Sequence, residues 1–412
     1  IWRQGRCVVM ELIDKSIDNK SVDNKQVETK LGSAFGTFEL QRFPARKKET
    51  LRAWDAADEY LLHHLEENEL MHDDITVLII NDAFGALSVS LHHYTPVMMS
   101  DSYLSMQAVS ANLKNNDLDY ESVTMINSLH APDSVLEKTA DIVIIKVPKS
   151  LAMLEDQLHR VRAAVDASTT IIAAGMTKRI HSSTMAMFEK ILGPTRTSLA
   201  RKKARLIFCE FDAALDVPEN PYPDTYRLGY KLDDEDIEIS NHAGVFSRDR
   251  LDIGARLFIE NLPEDERYQT IVDLGCGNGI LGLMAAIRNP SAKIIFTDES
   301  YMAVESAIDN FINTFGESRE AEFLQTDCLH GVEEDSVSLV LCNPPFHQDN
   351  AINDDVAWQM FTESKTVMAK GGEIWVIGNR HLGYHAKLKH LFGNCEVVAS
   401  NKKFTLLKAV KS

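Results

Sequence analysis

From Ile75 onward, short apolar runs alternate with amphipathic segments of helical length. That rhythm predicts largely parallel sheets, because parallel strands are buried on both faces and joined by helical crossovers. In the first half, strands are expected near 76–81, 88–92, 123–126, 141–146, 169–174 and 204–212. In the second half they are expected near 270–274, 293–298, 321–326, 337–342, 373–378, 395–400 and 404–410. Between the halves, residues 216–239 carry Pro218, Pro221 and Pro223, then the acidic run Asp233, Asp234, Glu235 and Asp236, and read as a linker. Residues 11–35 are polar and almost free of aromatics, as a flexible tail would be. At 412 residues the chain fits two domains of about 150–200 residues each.

The two halves read as relatives. Val77 to Leu87 can be set beneath Ile271 to Leu281, and Asp141 to Lys149 beneath Ser338 to Phe346. The two blocks are then separated almost equally in each half. The first half keeps only Gly85 of the three glycines in the second, has Ile79 where the second has Asp273, and Lys146 where it has Asn343. A duplicated fold that has lost a ligand loop and a polar amide is expected to bind rather than catalyse.

In the second half, Val272-Asp273-Leu274-Gly275-Cys276-Gly277-Asn278-Gly279 opens a helix. Glycines let the backbone turn sharply and approach a ligand closely, and the helix start offers free N–H groups. The loop lacks the Gly-x-Gly-x-x-Gly register of dinucleotide sites, since Ile280 takes the last position. It therefore favours S-adenosylmethionine, with Asp273 placed toward the charged amino-acid end. Asp298, closing the next strand, is placed to accept both ribose hydroxyls, although a helix N-cap role also fits. Asp327, after the strand that follows, is placed for the adenine amine, with a plain turn residue as its competitor.

The run 337–342 closes in Asn343-Pro344-Pro345-Phe346-His347. An exocyclic amine on a base is a poor nucleophile, because its lone pair is delocalised into the ring. Hydrogen bonds from its two N–H groups to the Asn343 side-chain oxygen and the Pro344 carbonyl would favour a pyramidal nitrogen. Phe346 can stack on the extracted base. With a sulfonium as methyl donor, positioning dominates over base catalysis, and His347 is read as a loop or helix-start residue.

These motifs, preceded by Gly244-Val245-Phe246-Ser247 and Leu251-Asp252-Ile253-Gly254, resemble the bacterial ribosomal RNA guanine-N2 methyltransferases, tandem proteins whose first module is degenerate. Phe38 to Pro44 and Asn81 to Leu87 make the chain most similar to the enzymes of the large subunit. The resemblance runs from about Phe38 to the end. It implies formation of N2-methylguanosine in 23S rRNA, with Phe246 and Asp252 helping to enclose the cofactor. The expected plan is α/β, with two tandem Rossmann-like methyltransferase-type domains. A tail covers 1–35, an RNA-binding degenerate domain 36–213, a linker 214–240, and a catalytic S-adenosylmethionine-binding domain 241–412. The rival readings are the sister enzyme of 16S rRNA, methylation of a protein glutamine, methylation of DNA adenine, and a pair of modules that only bind RNA.

Charge narrows the RNA reading. The net charge of −18 argues against indiscriminate nucleic-acid binding. Local basic clusters remain, Arg196, Arg201, Lys202, Lys203 and Arg205 in one segment and Arg42, Arg46, Lys47 and Lys48 in another. The first is the expected RNA-docking segment; solvated charge is the alternative for both. Six scattered cysteines without a Cys-x-x-Cys pair give little support to a metal site or a disulfide framework, which suits a reduced cytoplasm. No apolar run approaches membrane-spanning length, so no membrane partner is expected; an obligate protein partner is not expected either. The first ten residues are too poor in apolar side chains for a secretory signal, and Met10 is the expected start.

Overall fold

The computed structural model describes residues 27–46, 49–232, 235–245, 251–316, 318–345 and 351–412. A hairpin, β1 (Lys30–Ser33) and β2 (Gly36–Glu39), leads into helix α1 (Ala56–Glu67). The first sheet follows as β3 (Val77–Ile80), β4 (Val97–Ser100), β5 (Thr124–Asn127), β6 (Ile142–Lys146), β7 (Thr170–Met176), β8 (Thr195–Thr197) and β9 (Ala204–Cys209). Its helices are α2 (Ala86–Ser90), α3 (Tyr103–Asn115), α4 (Leu151–Arg162) and α5 (Ser182–Ile191). A second hairpin, β10 (Asp224–Leu232) and β11 (Glu235–Asn241), precedes α6 (Ile253–Glu260). The second sheet comprises β12 (Thr270–Leu274), β13 (Lys293–Asp298), β14 (Ala321–Gln325), β15 (Val337–Cys342), β16 (Met368–Asn379), β17 (Glu396–Ser400) and β18 (Phe404–Val410). Its helices are α7 (Ile280–Arg288), α8 (Tyr301–Phe315), α9 (Ala351–Val367) and α10 (Tyr384–Phe392).

The sheet orders are β5-β4-β3-β6-β7-β9-β8 and β14-β13-β12-β15-β16-β18-β17, the same topology twice. In each, five strands are parallel and the last two run antiparallel to the sheet or to each other. Helices cover both faces. Ile271, Leu339 and Leu341 join one core and Val272, Leu274 and Val340 the other. The central strands are therefore apolar throughout rather than alternating.

The repetition extends to single bonds. The Asn112 carboxamide of α3 donates to the carbonyls of Gln41 and Phe84 and accepts the Gln41 N–H, pinning the chain after the first hairpin to the loop after β3. In the second half, Asn310 of α8 makes the same three bonds with Ser240 and Asn278.

The halves meet through equivalent loops. Tyr103 N–H donates to the Glu299 carbonyl at 2.8 Å and Tyr301 N–H to the Asp101 carbonyl at 3.0 Å. The Ser102 hydroxyl donates to the Glu299 carboxylate and the Ser300 hydroxyl to that of Asp101, both at 2.6 Å. Each serine also caps its own helix, accepting from Ser105 N–H or Ala303 N–H.

Three expectations need correction. The strand expected at 88–92 is α2 followed by a short 3-10 turn at His92–Tyr94, and the strand lies at Val97–Ser100. A run of five residues cannot by itself separate a buried strand from a buried helical turn. The expected linker at 214–240 contains the β10–β11 hairpin, which buries Leu228, Ile237 and Ile239 against the catalytic half. The expected tail at 1–35 ends in β1, whose Leu31 is buried with Phe38 and Leu40. In both hairpins, polar residues at the turns and flanks outnumber the few inward side chains.

Candidate active site

At the C-terminal ends of the second sheet's parallel strands lies a cavity of about 820 Å³, the place where open α/β sheets bind ligands. Asp252, Asp273, Gly275, Gly277, Asp298, Asp327, Asn343 and Pro344 all line it, so strand order brings together residues spread over 90 positions of sequence. Phe246, Phe346 and His347 lie outside the described residues.

The glycine loop turns by left-handed backbone at Gly275, Gly277 and Gly279, with φ of +69°, +55° and +76°. The last two serve different ends. A Cβ on Gly279 would stand 2.7 Å from the Ala307 Cβ, so this glycine lets α7 pack against α8 rather than lining the cavity. A Cβ on Gly277 would meet no atom within 4 Å, which leaves a bare backbone facing a ligand-sized space.

The carboxylates divide in the same way. Asp273 is 1% exposed and its Oδ2 accepts the Gly282 N–H at 2.7 Å, so it secures the first turn of α7 from below. Burial pushes its carboxyl up to about 8, with the Gly282 N–H opposing. Asp252 caps α6, accepting from Gly254 and Ala255. Asp298 accepts the Gly277 N–H at 2.9 Å through Oδ2 and the Ser300 N–H at 3.0 Å through Oδ1. It thus fixes the glycine loop and still presents lone pairs to the cavity. Burial raises it, against the pull of those N–H groups.

Asn343 is the first residue past β15. Its side-chain oxygen is buried and has no hydrogen-bond partner among the described residues. A buried carbonyl left so forfeits about 1–3 kcal/mol, which a ligand N–H would restore.

In the first half the corresponding place is filled. Lys146, at the position of Asn343, reaches Asp55 at 2.9 Å and Asp58 at 2.5 Å. Burial lowers this ammonium, but the two carboxylates more than offset it and hold the group above its ordinary value. Asn81, at the position of Gly275, keeps a positive φ of 65° and bonds Gln157 and the Lys146 carbonyl. Ile79 replaces Asp273, and the neighbouring Asp82 takes over its task, accepting the Ser88 N–H that corresponds to that of Gly282.

The first half nevertheless walls the cavity of the second. Arg42, Phe43, Pro44, Arg46, Ala83, Phe84, Ser102 and Ser105 line it, with Arg42 stacked over the Phe84 ring at 4.4 Å and Arg46 reaching Asp355 of α9 at 3.0 Å. Sequence reasoning missed this wall. Its signal was the basic cluster beside Phe43-Pro44, which no local pattern connects to the cavity. Thr297, Gln359, Asn379 and Lys403 are further lining residues it missed.

The Arg196–Arg205 segment lies away from the cavity, around the β8–β9 turn. Lys203 is exposed, Lys202 reaches Glu59 at 2.7 Å, Arg201 reaches Glu67 at 3.5 Å, and Arg196 stacks over Phe208. Arg205 is half-buried within β9. Among the described residues, no His/Cys/Asp/Glu cluster could hold a metal ion, and no helix is long and apolar enough to cross a membrane.

Comparison with known proteins settles the family. The RLMG N-terminal domain matches residues 28–213 and the methyltransferase small domain residues 236–408. The ribosomal RNA large subunit methyltransferase G of Streptomyces coelicolor is 47% identical over 382 residues, 92% of this chain and 99% of that protein. The chain belongs to the ribosomal RNA large subunit methyltransferase G family. The family member of Yersinia enterocolitica is 49% identical over 379 residues, 91% of this chain and 93% of its own. The tandem fold is that of a solved methyltransferase as well. The T. thermophilus 16S rRNA N2 methyltransferase RsmC, in complex with AdoMet and guanosine, superposes with a TM-score of 0.72 at 19% identity. That match covers 93% of this chain and 98% of RsmC.

Proposed function

We propose that this chain uses S-adenosylmethionine to methylate the exocyclic amine of a guanine in 23S rRNA, giving N2-methylguanosine. The observation that carries this reading is the buried Asn343 oxygen beside Pro344, without a hydrogen-bond partner among the described residues, at the strand end next to the glycine loop. Family membership supports the large-subunit rRNA as substrate.

When bound, S-adenosylmethionine supplies an electrophilic methyl group on a sulfonium. The bare backbone at Gly277 and the carboxylate of Asp298 suit its ribose side, and Asp327 its adenine amine. Asp273 acts mainly through the loop it secures, and the family resemblance gives Asp252 and Phe246 the role of helping to enclose the cofactor. Asn343 and the Pro344 carbonyl accept the two N–H groups of the guanine amine, aiming its lone pair at the donor. Phe346 stacks on the flipped base. The proton released afterwards leaves to water.

The filled first domain suits a docking module: Arg42 and Arg46 border the cavity, while Arg196, Arg201, Lys202 and Lys203 offer positive charge farther out. The enzyme acts in the cytoplasm on rRNA, without an obligate protein partner. The test is transfer from labelled S-adenosylmethionine to separately purified, unmodified 16S and 23S rRNA, followed by nucleoside analysis. Label in 23S as N2-methylguanosine is expected. Label confined to 16S would overturn the substrate, and label in neither rRNA nor assembled subunits would overturn the reaction.

A further inference from the structure

Two buried side-chain amide oxygens without a hydrogen-bond partner among the described residues line the cavity, those of Asn343 and Asn379. They stand on neighbouring strands. β15 and β16 are parallel with Cys342 opposite Val376, so Asn343 lies just past the end of one strand and Asn379 ends the other. Asn379 stands two residues beyond the position opposite Asn343. Parallel strands lie about 4.8 Å apart and rise about 3.3 Å per residue, so the two backbones are about 8 Å apart, a gap that their side chains and one base edge can fill. Asn379 also occupies the N-cap position of the 3-10 turn Arg380–Leu382, yet its side chain makes no capping bond. Asparagine is among the best residues for that local task, and here it is left free of it.

We propose that Asn379 specifies the base, its side-chain oxygen accepting the N1–H of the target guanine; this rests on the guanine-N2 reading above. Guanine presents its 2-amino group and N1–H side by side on one edge, both as donors. The Asn343 oxygen and Pro344 carbonyl take the amine, and Asn379 takes the remaining donor. Adenine presents a lone pair at N1 and no 2-amino group, so the same oxygen would face a like partial charge. Asn343 thereby serves the reacting nitrogen and Asn379 the identity of the ring that bears it.

The test uses the full chain, labelled S-adenosylmethionine and a synthetic 23S rRNA fragment spanning the nucleotide labelled in the assay above. At that position the fragment carries guanine or 2-aminopurine, which keeps the amine but lacks N1–H. Under single turnover, the unaltered chain is expected to prefer guanine by at least roughly tenfold, the scale of one buried hydrogen bond. Asn379→Ala should slow transfer to guanine and bring the preference close to unity, with S-adenosylmethionine affinity unchanged. Asn379→Asp, which keeps an acceptor oxygen, should retain the preference. An Asn379→Ala chain that discriminates as well as the unaltered one would overturn the assignment. So would a loss of S-adenosylmethionine affinity with discrimination intact, which would place Asn379 on the cofactor. Absence of transfer by the unaltered chain to either rRNA removes the parent reading, and this one with it.

Discussion

The two halves share a scaffold down to single hydrogen bonds and differ at the mouths of their sheets. Asn112 and Asn310 fasten the same loops, Asn81 and Gly275 make the same left-handed turn, and one helix amide is satisfied in both by a buried aspartate from a different position. At the mouth, Lys146 with Asp55 and Asp58 stands where, among the described residues, the other half leaves the Asn343 oxygen unpaired. The bonds that maintain this fold are therefore separable from the groups that do chemistry. A site that is no longer used closes with its own salt bridge, while a used site keeps unsatisfied polar atoms.

The largest effects should come from exchanging roles at this one position. Asn343→Ala should lower methyl transfer on the order of 10²–10³-fold, the range for removing one preorganised polar group, with S-adenosylmethionine binding and thermal unfolding nearly unchanged. Lys146→Ala should do the reverse. It strands two carboxylates and should cost about 3 kcal/mol in urea unfolding, yet leave the chemical step intact. If Lys146→Ala removed transfer without loss of stability, the division between scaffold and chemistry would fail.

Glycines give a smaller contrast. Gly279→Ala forces a Cβ onto Ala307 in addition to a strained φ and should cost about 2–3 kcal/mol with weakened cofactor binding. At Gly85 the nearest atom is a Val89 methyl at 3.0 Å, so Gly85→Ala should cost about 1 kcal/mol and leave cofactor affinity alone. Denaturation paired with calorimetric titration checks both.

A pH comparison isolates Asp273, which the first half lacks. Its carboxyl is raised from 3.8 to about 8 by burial, so the folded chain holds a proton that the unfolded chain has released. Stability of the ligand-free protein should then fall as pH rises from about 4 toward 8. Asp101, pushed up to about 6 by burial, contributes in the lower part of that window. Glu299, pushed up to about 7 by burial, titrates in the same window, so the slope between pH 6 and 8 should become shallower in Asp273→Asn and persist in Asp101→Asn.

The smallest effect per residue lies at the β8–β9 turn. Lys203→Ala should weaken rRNA affinity by about 1 kcal/mol or less and lower the salt slope by about one. Charge reversal at Arg201, Lys202 and Lys203 together should weaken it further. Unchanged affinity in the reversed chain would remove this turn from the docking surface.

The parallel strands were legible because burial on both faces makes them continuous apolar runs. The glycine loop, Asp298, Asp327 and Asn343 were legible because each directly follows or closes such a run. The hairpins were not. Few inward side chains carry them, prolines precede one, and Glu235 and Asp236, read as part of a linker, open its second strand. The division of the aspartates also lay beyond the sequence. Whether Asp273 faces a ligand or the Gly282 N–H depends on how the helix above it sits. The cavity wall from the first half and Asn379 depend on contacts between distant strands, for which no local spacing exists.

The reciprocal bonds of Asp101, Ser102, Glu299 and Ser300 are those that two copies of one protein make across a two-fold axis. The chain has the form of a homodimer whose subunits have been fused. In a homodimer every substitution appears twice, so a lysine that sealed one mouth would seal both. Covalent fusion lifts that constraint. One copy could lose its mouth and become a wall for its twin, while the seam between them kept the bonds that first held equals together.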